Sequence, residues 1–506
     1  MKKITSNLPS AFTLFFSLIL VWVFVVLLFF AEPFSLYYKT YIPVHNGLIF
    51  LCSLVFIGLL LLFSTTFLKK IKTIPPPWLF IYFVLLLVFQ YIICKNTWFY
   101  PGWDAKACYE TSMQIANGIV HDPAYFKLCP NNAPITVLLS FPLWIANKLN
   151  FAEPYVVLPY LGMVLQHLTC VFLILSLQKL VKNSATILIA LFIMPIFIGL
   201  SGYMTIPYTD AYSVMFPTLA LYLWLSIKKP VLKWFLLSLI CFFGATIKPA
   251  IAILFIALFI GLLFKGINSN LPLKDKCKKS IIILLAIIVG FIPSQIWKEQ
   301  SVLFMAGEAN PGIQLSESHY IMMGMNSKTF GGHDYNDVLF TSSILDLSEK
   351  RSANLKTAYQ RLKERSLREN AKFFTVKLFK AYGDGTFGYS YSVFNEKTPP
   401  RESALSSFLN NVYLRDGIYF GKYTSFMQMI WLGILLLCLI ASVALRKNKT
   451  VQLLTLTLLG LTIYLLMVEV WTRYLFVMAS FYLLLALIGF DYLTTRINNK
   501  KKEVKL

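Results

Sequence analysis

The sequence predicts an all-α polytopic membrane protein of about twelve transmembrane helices, with outer juxtamembrane helices and one small extracytoplasmic domain. Three observations carry that prediction. Of 506 residues, 57% are hydrophobic and only 14% charged. The apolar residues gather in runs near the roughly 17–25 residues that span a bilayer's hydrocarbon core. The cations sit in short clusters between those runs, as in loops facing an anionic leaflet, rather than in one patch. The net charge of +23 therefore points to a lipid bilayer as partner and to no nucleic acid.

The first run, "AFTLFFSLILVWVFVVLLFFA", follows Met-Lys-Lys. It is too long for a signal-peptide core, and no small-residue cleavage site follows it, so it reads as a retained helix at 11–31. Further spans are predicted at 46–67, 78–95, 155–178, 184–200, 211–227, 231–247, 249–265, 279–297, 425–445, 450–469 and 474–491. With the N-terminus inside, the inner loops are "LKKIK", "QKLVKN", "IKKPVLK", "FKGINSNLPLKDKCKK", "LRKNK" and the tail "RINNKKKEVK". All are rich in Lys or Arg and nearly free of acid, as the positive-inside rule requires. Both termini are then cytoplasmic and the chain is a multi-pass plasma-membrane protein.

Two segments need separate treatment. "APITVLLSFPLWIANKL" (133–149) is apolar enough to span, but a span there would invert every later loop, and Pro142 lies within it. It is assigned to the outer interface. "ATIKPAI" breaks a long run at Lys248-Pro249 into two helices, because proline cannot continue the first.

The organisation that follows has a transmembrane module at 1–297 with a first outer loop at 96–154. An extracytoplasmic domain occupies 298–424, and 425–506 holds the last transmembrane helices and a basic cytoplasmic tail. Within the outer domain, "SEKRSANLKTAYQRLKERSLRENAKFFTVKLFKAYGDG" reads as one amphipathic helix leading to a Gly-containing turn. Its apolar positions are Leu355, Tyr359, Leu362, Leu367, Phe373 and Phe374, and its cations suit either solvent or an anionic polymer or lipid phosphate.

Of the 23 acids, only Asp275, Asp491 and Glu503 fall clearly inside, so chemistry belongs to the outer face. Charges at the membrane boundary are costly and mark function. Four stand out: Asp104 opening the first outer loop, Asp210 ending "SGYMTIPYTD", Lys248 at the helix break, and Arg473 in "VEVWTRYLF". An acid can take a proton from a hydroxyl while cations hold a departing phosphate. Each also has a plain structural reading. Asp104 and Asp210 suit helix N-caps, Lys248 can snorkel, and Glu469 with Arg473 has i,i+4 spacing.

Among cofactors, His319 and His333 with Asp334 and Asp337 leave a divalent cation open. No metal is assigned to the four-residue site itself. The eight cysteines have no metal-ligand spacing. Cys108 and Cys129 share one outer loop, where a disulfide is open to them. No Gly-rich phosphate loop or dinucleotide fingerprint is present.

The ordered set of segments resembles the GT-C polytopic glycosyltransferases, a group that includes protein O-mannosyltransferases, lipid A aminoarabinose transferases and GPI mannosyltransferases. "GWDAKACYETSMQIANG" is similar to their first-loop signature, its Trp-Asp-Ala form nearest the GPI-mannosyltransferase side. "NNAPITVLLSFPLWIANKL" resembles their Pro-containing juxtamembrane helix, and "YTDAYSVMFPTLALYLWL" their second-loop aspartate. "FGATIKPAIAIL" resembles the segment whose Lys meets the donor's lipid phosphate, and "TRYLFVMASFYLLLAL" the late Arg-Tyr segment. The resemblance spans about 95–490. It departs where many relatives carry Asp-Glu, since Ala105 follows Asp104 here, and two extra helices precede the first loop.

The resemblance implies a polyprenyl-phosphate-linked sugar as donor and an inverting transfer on the extracytoplasmic face. The acceptor is then a cell-surface glycopolymer or a lipid-linked saccharide. It gives catalytic roles to Asp104 and Asp210 and donor-phosphate contacts to Lys248 and Arg473. Two other classes stay open: a transporter or flippase of lipid-linked sugars, and an inactive scaffold on the same fold.

Overall fold

Long runs of Leu, Ile, Val and Phe leave the backbone one way to satisfy its polar groups in lipid, which is the helix. The computed structural model describes residues 2–36, 38–120, 122–267, 272–307, 312–393 and 403–503, and among these every regular element is helical. Nine helices in this set are long and apolar enough to cross a membrane: Asn7–Phe29, Asn46–Lys70, Pro76–Thr97, Pro154–Leu180, Pro230–Ile247, Lys274–Ala306, Phe420–Ala444, Lys449–Met467 and Thr472–Asn499. Their starts carry ordinary helix signals. Pro76 and Pro230 open two of them, where a missing N–H has no intrahelical partner to lose. Asn448 caps a third through its side-chain oxygen.

The other three predicted spans are short helices. Ser184–Gly199 ends in a wide π turn at Pro195. Met215–Ser226 has 12 residues, and Pro249–Phe264 follows the predicted break. The segment assigned to the interface is a 16-residue helix, Ala133–Lys148. It buries Ile135, Leu139 and Leu143, and exposes Phe141 and Trp144.

Thr472–Asn499 is the axis of the bundle: 89% of its apolar window is enclosed, against 17% for Pro76–Thr97. Its crossing with Phe420–Ala444 depends on Gly489, where a Cβ would stand 2.4 Å from the Leu437 carbonyl oxygen. Close backbone approach at small residues is how helices associate without a hydrophobic drive.

Alternation along the chain sorts the connections to two ends. At one end Ser184 Oγ donates to the Lys72 carbonyl and Thr186 Oγ1 to Asp491. At the other, Thr424 Oγ1 donates to the Tyr41 carbonyl and Thr472 Oγ1 to the Tyr38 hydroxyl. This second end also carries 98–153 and the long connection after Ala306. Residues 268–271 of the predicted basic loop and 504–506 of the basic tail lie outside the described residues.

The predicted amphipathic helix is two helices, Leu347–Glu364 and Leu367–Tyr382. The reason is local: Ser366 and Glu369 form a reciprocal capping box that starts a new helix. The burial pattern differs as well. Leu355, Tyr359 and Leu367 are exposed, while Lys350, Lys377 and Lys380 are buried. The Gly-containing turn that follows is driven into the bundle, where Phe387 packs on Trp431 and Tyr389 faces Tyr203.

Candidate functional site

Asp104 lies in the first turn of the helix Trp103–Ala116, but Gly102 holds the cap position and no side chain caps it. The Asp104 carboxylate turns instead to the next segments of its loop. Tyr125 donates its hydroxyl to Asp104 Oδ1 at 2.9 Å and accepts from Asn132 Nδ2 at 2.6 Å. The Tyr208 hydroxyl lies 3.4 Å from Asp104 Oδ2 and 3.2 Å from Asn132 Oδ1. Burial first, and then Asp104, raises both tyrosine hydroxyls well above the ordinary range, so they stay donors. Beside them Cys108 and Cys129 are free thiols rather than a disulfide. Burial, followed by Asp104, pushes the Cys129 thiol up to about 12.

Asp210 likewise caps nothing: Tyr208 occupies the cap position of the short helix Thr209–Ser213. Its carboxylate is 2% exposed and holds two cations. Lys248 Nζ is 2.5 Å from Oδ1, and Arg473 is 3.5 Å from Oδ2. Lys248 is the residue at which the helix Pro230–Ile247 stops, with extended backbone ahead of Pro249. It therefore reaches inward to an acid rather than out to the interface. A charge so enclosed needs a partner, and Asp210 provides it for both cations.

The expected i,i+4 pair of Glu469 and Arg473 does not form. Residues 468–471 are non-helical between Lys449–Met467 and the 3-10 segment Thr472–Met478, so i,i+4 spacing does not place them together. Arg473 reaches Asp210, while Glu469 accepts from Trp471 Nε1 at 2.7 Å and from the Tyr474 hydroxyl at 2.8 Å.

The four predicted residues thus meet in one network. Asp210, Lys248 and Arg473 are in direct contact. Asp104 joins them through Tyr208, whose ring lies 5.7 Å from the Arg473 guanidinium. Sequence reasoning did not single out Tyr125, Asn132, Tyr208 or Tyr474. Two of them had a signal: Tyr208 stands in "YTD" and Tyr474 in "TRY", each beside a charge already selected.

Asp334 and Asp337 do not gather with His319 and His333 into a ligand set. Asp337 takes two short contacts from Arg361, at 2.6 and 2.9 Å, and Asn326 bridges Asp337 to Asp334. His319 Nδ1 pairs with the Thr341 hydroxyl, and burial pushes its imidazole down to about 4. Among the described residues no three His, Cys, Asp or Glu side chains are grouped to hold a metal.

A family model described as "conserved hypothetical integral membrane protein" matches residues 1–493. The chain belongs to that family. It is a multi-pass integral membrane protein, and the network above sits where helices of this family member end. No curated protein and no solved structure matches the chain.

Proposed function

We propose that this protein is a membrane glycosyltransferase. It moves a sugar from a polyprenyl-phosphate donor to a cell-surface glycopolymer or lipid-linked saccharide, at the extracytoplasmic face of the plasma membrane. The observation that carries this reading is the joining of one part-exposed carboxylate, Asp104, to a clamped cation pair, Lys248 and Arg473, through a single tyrosine. The acid asymmetry of the loops supports the outer placement, and the resemblance to GT-C enzymes supports the donor class.

In the proposed reaction an acceptor hydroxyl attacks the anomeric carbon while its proton passes to Asp104. A new carbon–oxygen bond forms, the bond from the anomeric carbon to phosphate oxygen breaks, and the electron pair leaves with polyprenyl phosphate. One displacement inverts the anomeric centre. Tyr125 and Tyr208 fix the base, and Lys248 and Arg473 stabilise the charge that grows on the phosphate. Asp210 is enclosed and occupied by both cations, so it acts as their positioning residue rather than as a second base.

Reconstituted protein given a synthetic polyprenyl-phosphate sugar and a saccharide acceptor tests this by mass spectrometry of the product. Asp104→Asn keeps the shape and is expected to slow transfer by about 10²–10⁴-fold. Intact donor appearing across the bilayer, with no glycosidic product, would instead identify a transporter. Normal transfer by Asp104→Asn would remove the base from the scheme.

A further inference from the structure

Two cations side by side repel each other, and Asp210 touches them from one direction only. A second group holds them from another. The Tyr474 ring has Lys248 Nζ at 4.3 Å and the Arg473 guanidinium at 5.2 Å from its centre. The negative face of an aromatic ring attracts a cation, more strongly where water is excluded. Tyr474 in turn donates its hydroxyl to Glu469 Oε2 at 2.8 Å, while Trp471 donates to Oε1. A charge-assisted hydrogen bond of this kind draws the phenol proton toward the carboxylate and leaves the ring richer in electrons. Glu469 touches neither cation within ion-pair distance, yet it faces both through this ring.

Glu469 is itself fixed. The neighbouring carbonyls of Leu466 and Val468 both accept from Lys377 Nζ, at 2.9 and 2.7 Å. Val470 N donates to the Gly331 carbonyl at 2.9 Å. The segment that carries Glu469 is therefore pinned on one side to the helix Leu367–Tyr382 and on the other to the turn at Gly331.

We propose that Glu469 is a positioning residue that acts through Tyr474 to hold Lys248 and Arg473 as a pair facing the donor phosphate. The substrate side of this inference rests on the glycosyltransferase reading; the positioning itself does not. The cation pair is clamped between an acid, Asp210, and an aromatic ring electronically tuned by a second acid. Glu469→Gln keeps an acceptor for Tyr474 but removes the charge. Tyr474→Phe keeps the ring but cuts the link. Tyr474→Leu removes the ring.

The experiment is amine-reactive labelling of the purified full-length protein in lipid nanodiscs, followed by peptide mass spectrometry, with rates read at Lys248 and Lys377. Lys248 is expected to label several-fold faster in Tyr474→Leu, with smaller increases in Tyr474→Phe and Glu469→Gln, while the Lys377 rate stays as in the wild type. In the transfer assay the same variants should raise the donor KM about tenfold with kcat within a few-fold, and Glu469→Asp should recover part of the loss. An unchanged Lys248 rate in Glu469→Gln overturns the proposal. So does a parallel rise at Lys248 and Lys377, which would mean that Glu469 only holds the fold. A wild type that transfers no sugar, with the labelling pattern as expected, sinks the glycosyltransferase reading and leaves the positioning role standing.

Discussion

Lys248 and Lys377 are both withdrawn from water at the same end of the bundle, and they differ in what they touch. Lys377 is fully buried, and its amine meets three backbone carbonyls: Gly324 at 2.7 Å, Leu466 at 2.9 Å and Val468 at 2.7 Å. Those carbonyls come from the ends of two helices, where carbonyls lack intrahelical partners and take a donor from another element. The approach is so close that a Cβ on Gly324 would stand 2.5 Å from the Val468 carbonyl carbon. Lys248 keeps 12% of its side chain exposed and meets an acid and a ring. A lysine enclosed by carbonyls has no face left for a ligand and ties elements together. A lysine with one open side and a compensating acid can exchange part of its environment for an anion.

The largest effect expected from this contrast is on stability. Lys377→Met leaves up to three buried carbonyls without donors, at about 1–3 kcal/mol each. Thermal unfolding of the purified variant should fall by many degrees. A melting temperature like that of the wild type would break the distinction between the two lysines.

Lys248 should behave differently, because its acid keeps a second partner in Arg473. Lys248→Met alone leaves Asp210 with only Arg473, so some stability is lost with the activity. The double variant Asp210→Asn with Lys248→Met leaves Arg473 without its acid, so it should lose more stability than Lys248→Met and regain no transfer rate. Loss of one charge-stabilising contact in such a site corresponds to about 10²–10³-fold in kcat. Recovery of both stability and turnover in the double variant would make Lys248 architectural too.

A smaller effect sharpens the comparison through pH. Burial, with Lys380 and Arg365 acting the same way and Glu469 opposing, pushes the Lys377 amine down to about 6. An unfolded chain holds that proton until about pH 10. Between these values the unfolded state binds more protons than the folded one. Stability from this group therefore rises with pH across that window, by at most about 1.4 kcal/mol per unit, and is flat below it. Denaturant melts at pH 6.5 and 9 should show this slope in the wild type and a flatter one in Lys377→Met. Equal slopes would mean that Lys377 keeps its proton when folded.

Local pattern made much of the molecule legible. Apolar runs and proline positions predicted twelve spans, of which nine are long helices and three short ones among the described residues, and they predicted the break after Lys248. The helix read at 133–149 forms as Ala133–Lys148, with Pro142 inside it. The capping box at Ser366 and Glu369 was written in the sequence as well, inside what the charge pattern presented as one continuous helix. Residue type and boundary position also selected Asp104, Asp210, Lys248 and Arg473, because a charge next to lipid needs a reason.

What the sequence by itself determined is thus set by neighbours along the chain: burial preference, helix starts and stops, and which charges lie near helix ends. Only the tertiary structure decided who holds whom. Asp210, Lys248 and Arg473 are brought together from three separate connections, and Tyr208 carries the network to Asp104. The i,i+4 spacing of Glu469 and Arg473 suggested an ion pair, but that geometry exists only on a helix, and the chain at 468–471 is not helical. Local spacing fixes a partner where backbone hydrogen bonds repeat with a known period. Where the period stops, the partner is chosen by the packing of distant segments, and there Glu469 turned to Tyr474.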